Sequence, residues 1–151
     1  MNAPFSGRRV LVVEDEMIVA WLLQDMLADL GCVVVGPAAS INEALVMIDA
    51  EAFDVAMLDV NLNGKMSYPI ADALISRGVP FLFSTGYDKD RLLEAYRIFP
   101  VLQKPFHRSE LGNTLAQLLA PKEPTRESVI AGLEIRGETA AVGGARSAEP
   151  T

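Results

Sequence analysis

The sequence predicts an α/β fold in which a five-stranded parallel sheet carries helices on both faces. Three observations predict it: five short apolar runs are typical of buried strands, helical patterns separate them, and glycines or prolines stand between the elements. Continuous apolar runs indicate strands covered on both faces, and such strands joined by helices form parallel sheets. Half of the 151 residues are hydrophobic, which is enough for a packed core.

The first strand–helix unit spans residues 10–31. Residues 10–13 are apolar and lie between two arginines and a run of acids, which predicts a buried strand. Residues 16–30 predict a helix that ends at Gly31. Its apolar residues form two neighbouring stripes, one of Ile18, Leu22 and Met26 and the other of Leu23, Leu27 and Leu30.

The second unit begins with the apolar residues 32–35, which predict a strand that stops at Gly36-Pro37. Ser40 and Glu43 then form a capping-box pattern ahead of a second helix.

The third strand, residues 55–58, ends on Asp59. Asparagines and a glycine at 61–64 predict a loop after it. Pro69 suits the first turn of a third helix, which we expect to end at Gly78.

The last part of the fold spans residues 81–119. Residues 81–83 and 101–102 predict the fourth and fifth strands. The pattern between them, at 88–97, predicts at most a short or irregular fourth helix. Residues 109–119 predict a final amphipathic helix.

Three segments follow from these elements. Residues 1–8 are an N-terminal extension, and residues 9–120 form the domain. Residues 121–151 are rich in Pro, Gly, Ala, Ser, Thr and Glu, which predicts a mostly flexible tail. An apolar patch at 129–135 leaves open docking of the tail on the domain or on a partner.

Composition excludes several classes of function. A net charge of −7 argues against a nucleic-acid partner and favours cations and basic protein surfaces. The single histidine, His107, excludes a multi-histidine metal site. The single cysteine, Cys32, excludes an internal disulfide, and its apolar neighbours indicate a buried hydrophobic residue. Without a membrane-length apolar stretch or a signal peptide, we expect a soluble cytoplasmic protein.

Polar residues follow four of the five predicted strands. The carboxyl ends of parallel strands share one edge of the sheet, where ligands bind. Three carboxylates, a hydroxyl and an ammonium should therefore converge there. The residues at the four strand ends are Glu14 and Asp15, then Asp59, then Ser84 and Thr85, and finally Gln103, Lys104 and Pro105.

This set of groups indicates metal-assisted phosphoryl chemistry. Three close carboxylates repel one another unless cations compensate them, and Lys104 compensates only one. Mg²⁺ fits the rest, because it uses few protein carboxylates and completes its shell with water and phosphoryl oxygens. A carboxylate such as Asp59 can act as the nucleophile. For any one of these acids, solvation or helix capping is an alternative explanation.

The strand-end motifs resemble those of the receiver domains of two-component signalling, from about Arg9 to Leu119. They are Val12-Val13-Glu14-Asp15-Glu16, Leu58-Asp59-Val60-Asn61-Leu62, Ser84-Thr85-Gly86 and Lys104-Pro105-Phe106. The resemblance implies a flavodoxin-like (βα)5 fold with strand order 2-1-3-4-5.

The resemblance also implies a role for each site residue. Asp59 would be the phosphoacceptor, Thr85 would bond the phosphoryl group and Lys104 would pair with it. Asp15 would be the direct Mg²⁺ ligand and Glu14 its acidic partner, while Asn61 would offer a backbone carbonyl. A cis peptide bond is implied before Pro105.

One departure from the usual receiver pattern lies on the fifth strand. Val101 stands where most members have Tyr or Phe. The segment Phe83-Ser84-Thr85-Gly86-Tyr87 resembles a single-domain subgroup with a Phe-x-Thr-Gly-Tyr signature, which lacks that aromatic and often has an irregular fourth helix. The switch residues would then be Thr85, Gly86 and Tyr87. Tyr87 could equally be a half-buried loop aromatic.

The function we expect from the resemblance is that of a stand-alone response regulator. A histidine kinase or histidine phosphotransfer protein would phosphorylate it, and it would act on a downstream protein as a monomer or weak dimer. No DNA-binding or enzymatic output domain fits in residues 121–151. An aspartyl phosphatase is one alternative, but such enzymes usually have a second Asp where this chain has Asn61. A non-phosphorylated interaction module is another, and the intact site residues count against it.

Overall fold

The chain's computed structural model describes residues 5–86 and 91–120. Its main sheet consists of β1 (Arg9–Val13), β2 (Val33–Ala38), β3 (Val55–Asp59), β6 (Phe81–Thr85) and β7 (Val101–Gln103). Two short strands, β4 (Asn61–Leu62) and β5 (Lys65–Met66), form a separate hairpin between β3 and the third helix. All pairs are parallel, and the order is β2-β1-β3-β6-β7. Because β6 and β7 are the fourth and fifth strands of this sheet, the predicted parallel sheet and its 2-1-3-4-5 order are confirmed.

The helices are α1 (Met17–Asp29), α2 (Ile41–Ala50), α3 (Tyr68–Arg77) and α4 (Arg108–Leu119). Between β6 and β7 the described residues include a 3-10 turn, Glu94–Tyr96, and no α-helix, in agreement with a short or irregular fourth helix. Residues 87–90 of that predicted segment lie outside the described residues. Within residues 5–86 and 91–120, every helix falls short of the length and apolarity needed to cross a membrane.

Two hydrophobic cores lie on opposite faces of the sheet, as predicted for helices on both sides. Strand β1 serves both of them, because successive side chains of a strand point to opposite faces. Leu11 and Val13 pack in the core that includes residues of α2 and α3. Val10 and Val12 pack in the core formed with residues of α1 and α4.

Helix α1 buries only one of its two apolar stripes. Leu23 and Leu27 are at most 3% exposed, whereas Ile18 is 72% and Leu22 is 55% exposed. The helix is apolar around most of its circumference, so periodicity did not distinguish the face that packs on the sheet.

Strand β2 is longer than predicted. It continues to Ala38 through a cis Gly36-Pro37 peptide bond, and its pairing with β1 shifts register between Leu11 and Val13. Gly36 has φ +97, and a Cβ there would lie 2.9 Å from both Ala38 N and Val12 O. The expectation that Gly36-Pro37 ends the strand is therefore wrong: the glycine permits a close, irregular strand pairing.

The segment after β3 is a hairpin rather than the predicted loop. Strands β4 (Asn61–Leu62) and β5 (Lys65–Met66) pair in antiparallel register. The two turn residues, Asn63 and Gly64, have φ of 52 and 87. An Asn-Gly pair with both residues at positive φ is typical of a two-residue hairpin turn, so the signal was present in the sequence.

Local sequence signals also account for two helix ends and for the environment of Cys32. Ser40 Oγ accepts a hydrogen bond from Glu43 N at 3.1 Å, which is one half of the predicted capping box. The Glu43 side chain accepts from Ala39 N at 2.7 Å instead of from Ser40 N. Gly78 ends α3 in the left-handed conformation. Cys32 is buried, and burial raises the pKa of its thiol. In the N-terminal segment, Phe5 N donates to Leu30 O at 3.0 Å.

Candidate functional site

Three carboxylates meet at the carboxyl edge of the sheet. Glu14 and Asp15 follow β1, and Asp59 is the last residue of the neighbouring strand β3. Each offers one oxygen, and these oxygens all lie within 4.8 Å of one another. Glu14 and Asp59 are buried, at 2% and 7% exposure. Parallel pairing of adjacent strands thus produces the convergence of acids that the sequence predicted.

Lys104 neutralises part of this charge. Its Nζ lies 2.7 Å from Glu14 Oε1 and 3.4 Å from Asp59 Oδ2. Its backbone N donates to Thr85 O at 2.7 Å, which fixes the residue just after β7. The Lys104-Pro105 peptide bond is cis, as the resemblance implied.

Glu14 has protein partners on both carboxylate oxygens. Oε1 accepts from Lys104 Nζ, and Oε2 accepts from Glu16 N at 3.2 Å. Its side chain is 0% exposed. These contacts make Glu14 the acid with the least freedom to turn toward a ligand in solvent.

Asp15 is the more accessible acid, and the β4–β5 hairpin holds it. Its Oδ2 accepts a hydrogen bond from Asn63 N at 3.0 Å. Asp15, Asp59, Asn61, Asn63 and Lys104 line a cleft of about 460 Å³ together with Glu16 and Gly86. Sequence reasoning did not connect Asn63 with the site: the Asn-Gly pair signals a turn, but it does not indicate the contact with Asp15.

Asn61 connects the nucleophile candidate with the hairpin. Its N donates to Asp59 Oδ1 at 3.3 Å, and its own Oδ1 accepts from Gly64 N at 2.7 Å. The role of its backbone carbonyl as a metal ligand stays a prediction.

Two of the three predicted switch residues, Thr85 and Gly86, lie at the end of β6. Thr85 is buried, and Gly86 is exposed and lines the cleft. Ser84 is the register partner of Asp59 across the β3–β6 pair. Tyr87 lies outside the described residues.

In the metal-free site, the surroundings raise the pKa values of both Asp59 and Lys104. Burial raises the pKa of Asp59 to about 7; Lys104 opposes this shift, and the negative charge of Glu14 adds to it. Burial disfavours the charged form of Lys104, but the hydrogen bond to Glu14 and the attraction of Asp59 outweigh it and raise its pKa. A second cation at this edge would stabilise ionised Asp59.

Aromatic rings pack beside β6 even though the fifth strand carries Val101. Tyr68 stacks on Tyr96 with centroids 4.3 Å apart, and both meet Phe83 edge-on. Tyr96 Oη donates to Asp72 Oδ1 at 2.7 Å, and Leu93 N donates to Tyr68 Oη at 3.0 Å. These contacts join the segment before β7 to α3, and no sequence pattern indicated them.

The fold and the acidic edge define a receiver domain. The profile of the response regulator receiver domain family matches residues 10–116, and the chain belongs to this family. The chain is therefore the receiver domain of a response regulator in two-component signalling.

Individual relatives agree with this assignment. The chain is similar to SdrG from Sphingomonas melonis Fr1, with 40% identity, a TM-score of 0.69, and coverage of 80% of this chain and 100% of that one. The receiver domain of PhyR from Erythrobacter litoralis is 29% identical, with a TM-score of 0.70 and coverage of 80% and 96%. The transcriptional regulatory protein PdtaR of Mycobacterium tuberculosis is 30% identical over 108 residues, 69% of this chain and 53% of that protein. The chain thus spans about half the length of the curated relatives it matches.

Proposed function

We propose that this receiver domain is a phosphoacceptor in which Asp59 takes a phosphoryl group from a phosphorylated histidine of a kinase or phosphotransfer protein. An Asp59 carboxylate oxygen would form a bond to phosphorus as the bond from phosphorus to the histidine nitrogen breaks. The product would be an aspartyl phosphate, which water then hydrolyses.

The observation that carries the proposal is the group of Glu14, Asp15 and Asp59 oxygens within 4.8 Å of one another, with Lys104 Nζ 3.4 Å from Asp59. A nucleophilic carboxylate in such surroundings needs compensating positive charge both before and after the transfer. Lys104 supplies one charge from the protein and can pair with the phosphoryl oxygens. Thr85, at the adjacent strand end, would bond those oxygens through its hydroxyl.

The donor set fits Mg²⁺. Carboxylate oxygens at the rim of an open cleft suit a hard cation that keeps several waters. Asp15 and Asp59 would hold it directly, Glu14 would assist, and the Asn61 carbonyl would complete the protein ligands. Bound Mg²⁺ would neutralise charge on the phosphoryl oxygens and favour ionised Asp59.

We propose that the domain is not an enzyme in the sense of turning over a second substrate. Its chemistry would be its own phosphorylation and dephosphorylation. Asn61 supports this view, because aspartyl phosphatases usually have a general acid at that position.

Output would proceed by contact with a protein. The net charge of −7 disfavours nucleic acid and favours basic protein surfaces. We place the domain in the cytoplasm, where a kinase or phosphotransfer protein would meet it. We expect the domain itself to be a monomer or weak dimer.

We also propose membership of the subgroup with the Phe-x-Thr-Gly-Tyr signature. The 3-10 turn Glu94–Tyr96 and the aliphatic Val101 on the fifth strand support it. For SdrG, a BeF3-activated conformation has been solved. This makes beryllofluoride a suitable phosphoryl mimic for the present chain.

Mass spectrometry after incubation with acetyl phosphate and Mg²⁺ tests the proposal. The wild type should gain one phosphoryl group, and Asp59→Asn should gain none. Asp49→Asn, an exposed acid on α2, is the matched control and should be labelled as the wild type is. Labelling of Asp59→Asn at the wild-type rate would remove Asp59 as the acceptor.

A further inference from the structure

We propose that the β4–β5 hairpin is a positioning element for the metal site: the backbone amide of Asn63 orients the Asp15 carboxylate for cation binding. The inference rests on the proposed function in one respect, the binding of Mg²⁺ at Asp15. It adds to that function a dependence on the Asn63-Gly64 turn.

The contact joins residues 48 positions apart, with Asn63 N 3.0 Å from Asp15 Oδ2. Without it, the charges of Glu14 and Asp59 would repel the partly exposed Asp15 carboxylate toward solvent. A carboxylate has about four acceptor positions, so one amide leaves room for a cation. The amide therefore holds Asp15 beside the other acids without occupying its capacity as a ligand.

The hairpin is anchored well enough to position an atom. Leu62 is 2% exposed and packs in the core on the α2–α3 face of the sheet. It pairs with Lys65 directly across the turn. Gly64 N donates to Asn61 Oδ1 at 2.7 Å, which ties the turn to the residue that bonds Asp59. The Asn63 amide is thus fixed relative to the sheet although the turn itself is exposed.

The turn depends on backbone conformations that most residues adopt reluctantly. Gly64 has φ +87, and a Cβ added there would meet nothing within 4 Å. Gly64→Ala would therefore strain the turn through its backbone alone, without a steric clash in the site. The expected consequence is a displaced Asn63 amide and a less ordered Asp15.

The chain offers a matched control. Gly78 also has a positive φ, +69, and open space around an added Cβ, but it lies at the end of α3. Gly78→Ala introduces the same kind of strain away from the three carboxylates.

Titration of the full chain with Mg²⁺ is the test, with thermal unfolding to confirm that each variant is folded. We expect Gly64→Ala to bind Mg²⁺ about tenfold more weakly than the wild type, at the low end of losses when a residue supporting a metal ligand is removed. Gly78→Ala should bind as the wild type does. Equal affinities of Gly64→Ala and Gly78→Ala would overturn the inference and leave the proposed function intact. Failure of the wild type to bind Mg²⁺ would overturn both.

Amide hydrogen exchange in metal-free protein gives a second measurement that does not need Gly64→Ala to fold. Asp15→Ala removes the acceptor of the Asn63 amide, so exchange at Asn63 should speed up about tenfold, as expected for a lost hydrogen bond to a charged group. Exchange at Gly78, whose amide bonds Ile75 O, should not change. Unchanged exchange at Asn63 would show that Asp15 does not hold this amide and would overturn the inference.

Discussion

The ammonium of Lys104 lies closer to Glu14 than to Asp59: Nζ is 2.7 Å from Glu14 Oε1 and 3.4 Å from Asp59 Oδ2. Before phosphorylation, Lys104 therefore pairs mainly with Glu14, whose side chain is fully buried. A phosphoryl group on Asp59 would offer it new, strongly negative acceptors.

Removing this ammonium should destabilise the metal-free domain. Lys104→Met leaves Glu14 as an uncompensated buried charge, so the free energy of unfolding should fall by about 2–4 kcal/mol. The double variant Glu14→Gln/Lys104→Met should lose much less than the sum of the two single variants. Urea unfolding in the presence of a chelator measures all three, and Lys65→Met serves as the exposed control, expected within about 0.5 kcal/mol of the wild type. Additive losses in the double variant would contradict the pairing.

The two acids after β1 should contribute unequally to Mg²⁺ binding. Both oxygens of Glu14 are engaged by the protein, whereas Asp15 lines the cleft. Asp15→Ala should therefore weaken Mg²⁺ binding much more than Glu14→Gln does. Titration calorimetry of the two variants measures this difference. Equal, negligible effects would show that these acids do not form a Mg²⁺ site.

The stability of the metal-free domain should depend on the protonation of Asp59. Its pKa is raised to about 7 in the folded state, above the usual carboxyl value of 3.8, so the folded state binds a proton that the unfolded state releases between these values. This group therefore lowers stability progressively as pH rises from about 4 through 7. Asp59→Asn should exceed the wild type in unfolding free energy by roughly 2–4 kcal/mol at pH 8.

The gain in unfolding free energy of Asp59→Asn over the wild type should become smaller as the pH is lowered, with most of it lost by pH 5. Chemical unfolding of both proteins at the two pH values, in a chelator, provides the measurement. A gain that is larger at pH 5 than at pH 8 would contradict the assigned direction.

The response to phosphorylation should concentrate in residues 84–97. Thr85 would shift toward the phosphoryl oxygens, and Gly86 can follow at little steric cost. With Val101 on the fifth strand, no strand-five ring is available to move, and Tyr87 is the aromatic two residues after Thr85 in the sequence. The contacts of Tyr68 and Tyr96 should extend the response to Asp72 on α3.

Backbone NMR shifts with and without beryllofluoride measure this response. Tyr96→Phe removes the bond to Asp72 and should reduce the shifts in α3 while leaving those at Thr85 in place. Large changes confined to residues 20–50, with 84–97 silent, would show that the switch works through another face.

Much of the site could be predicted because its residues stand at strand ends. A run such as residues 55–58 followed by Asp59 places the carboxylate at the carboxyl edge of a parallel sheet, whatever the remaining packing is. The same reasoning located Glu14, Asp15, Thr85 and Lys104. Local signals for caps and helix ends, at Ser40 and Gly78, act over a few residues and were also readable.

Other features could not be predicted, because they depend on contacts between distant segments. Periodicity showed two apolar stripes on α1, but only packing on the sheet decided that Leu23 is buried and Ile18 exposed. The strand through Gly36-Pro37 exists because β1 pairs with it, which overrides the local tendency of that dipeptide to end a strand.

By itself, therefore, the sequence determined the order of elements, the parallel sheet and the identity of the acids at its edge, since these follow from residue type and spacing along the chain. Only the tertiary structure decided that Lys104 pairs first with Glu14 and that the Asn63 amide holds Asp15. Those pairings join residues 90 and 48 positions apart, so they depend on how distant segments pack. For Lys104, the difference between 2.7 Å to Glu14 and 3.4 Å to Asp59 selects one partner over the other.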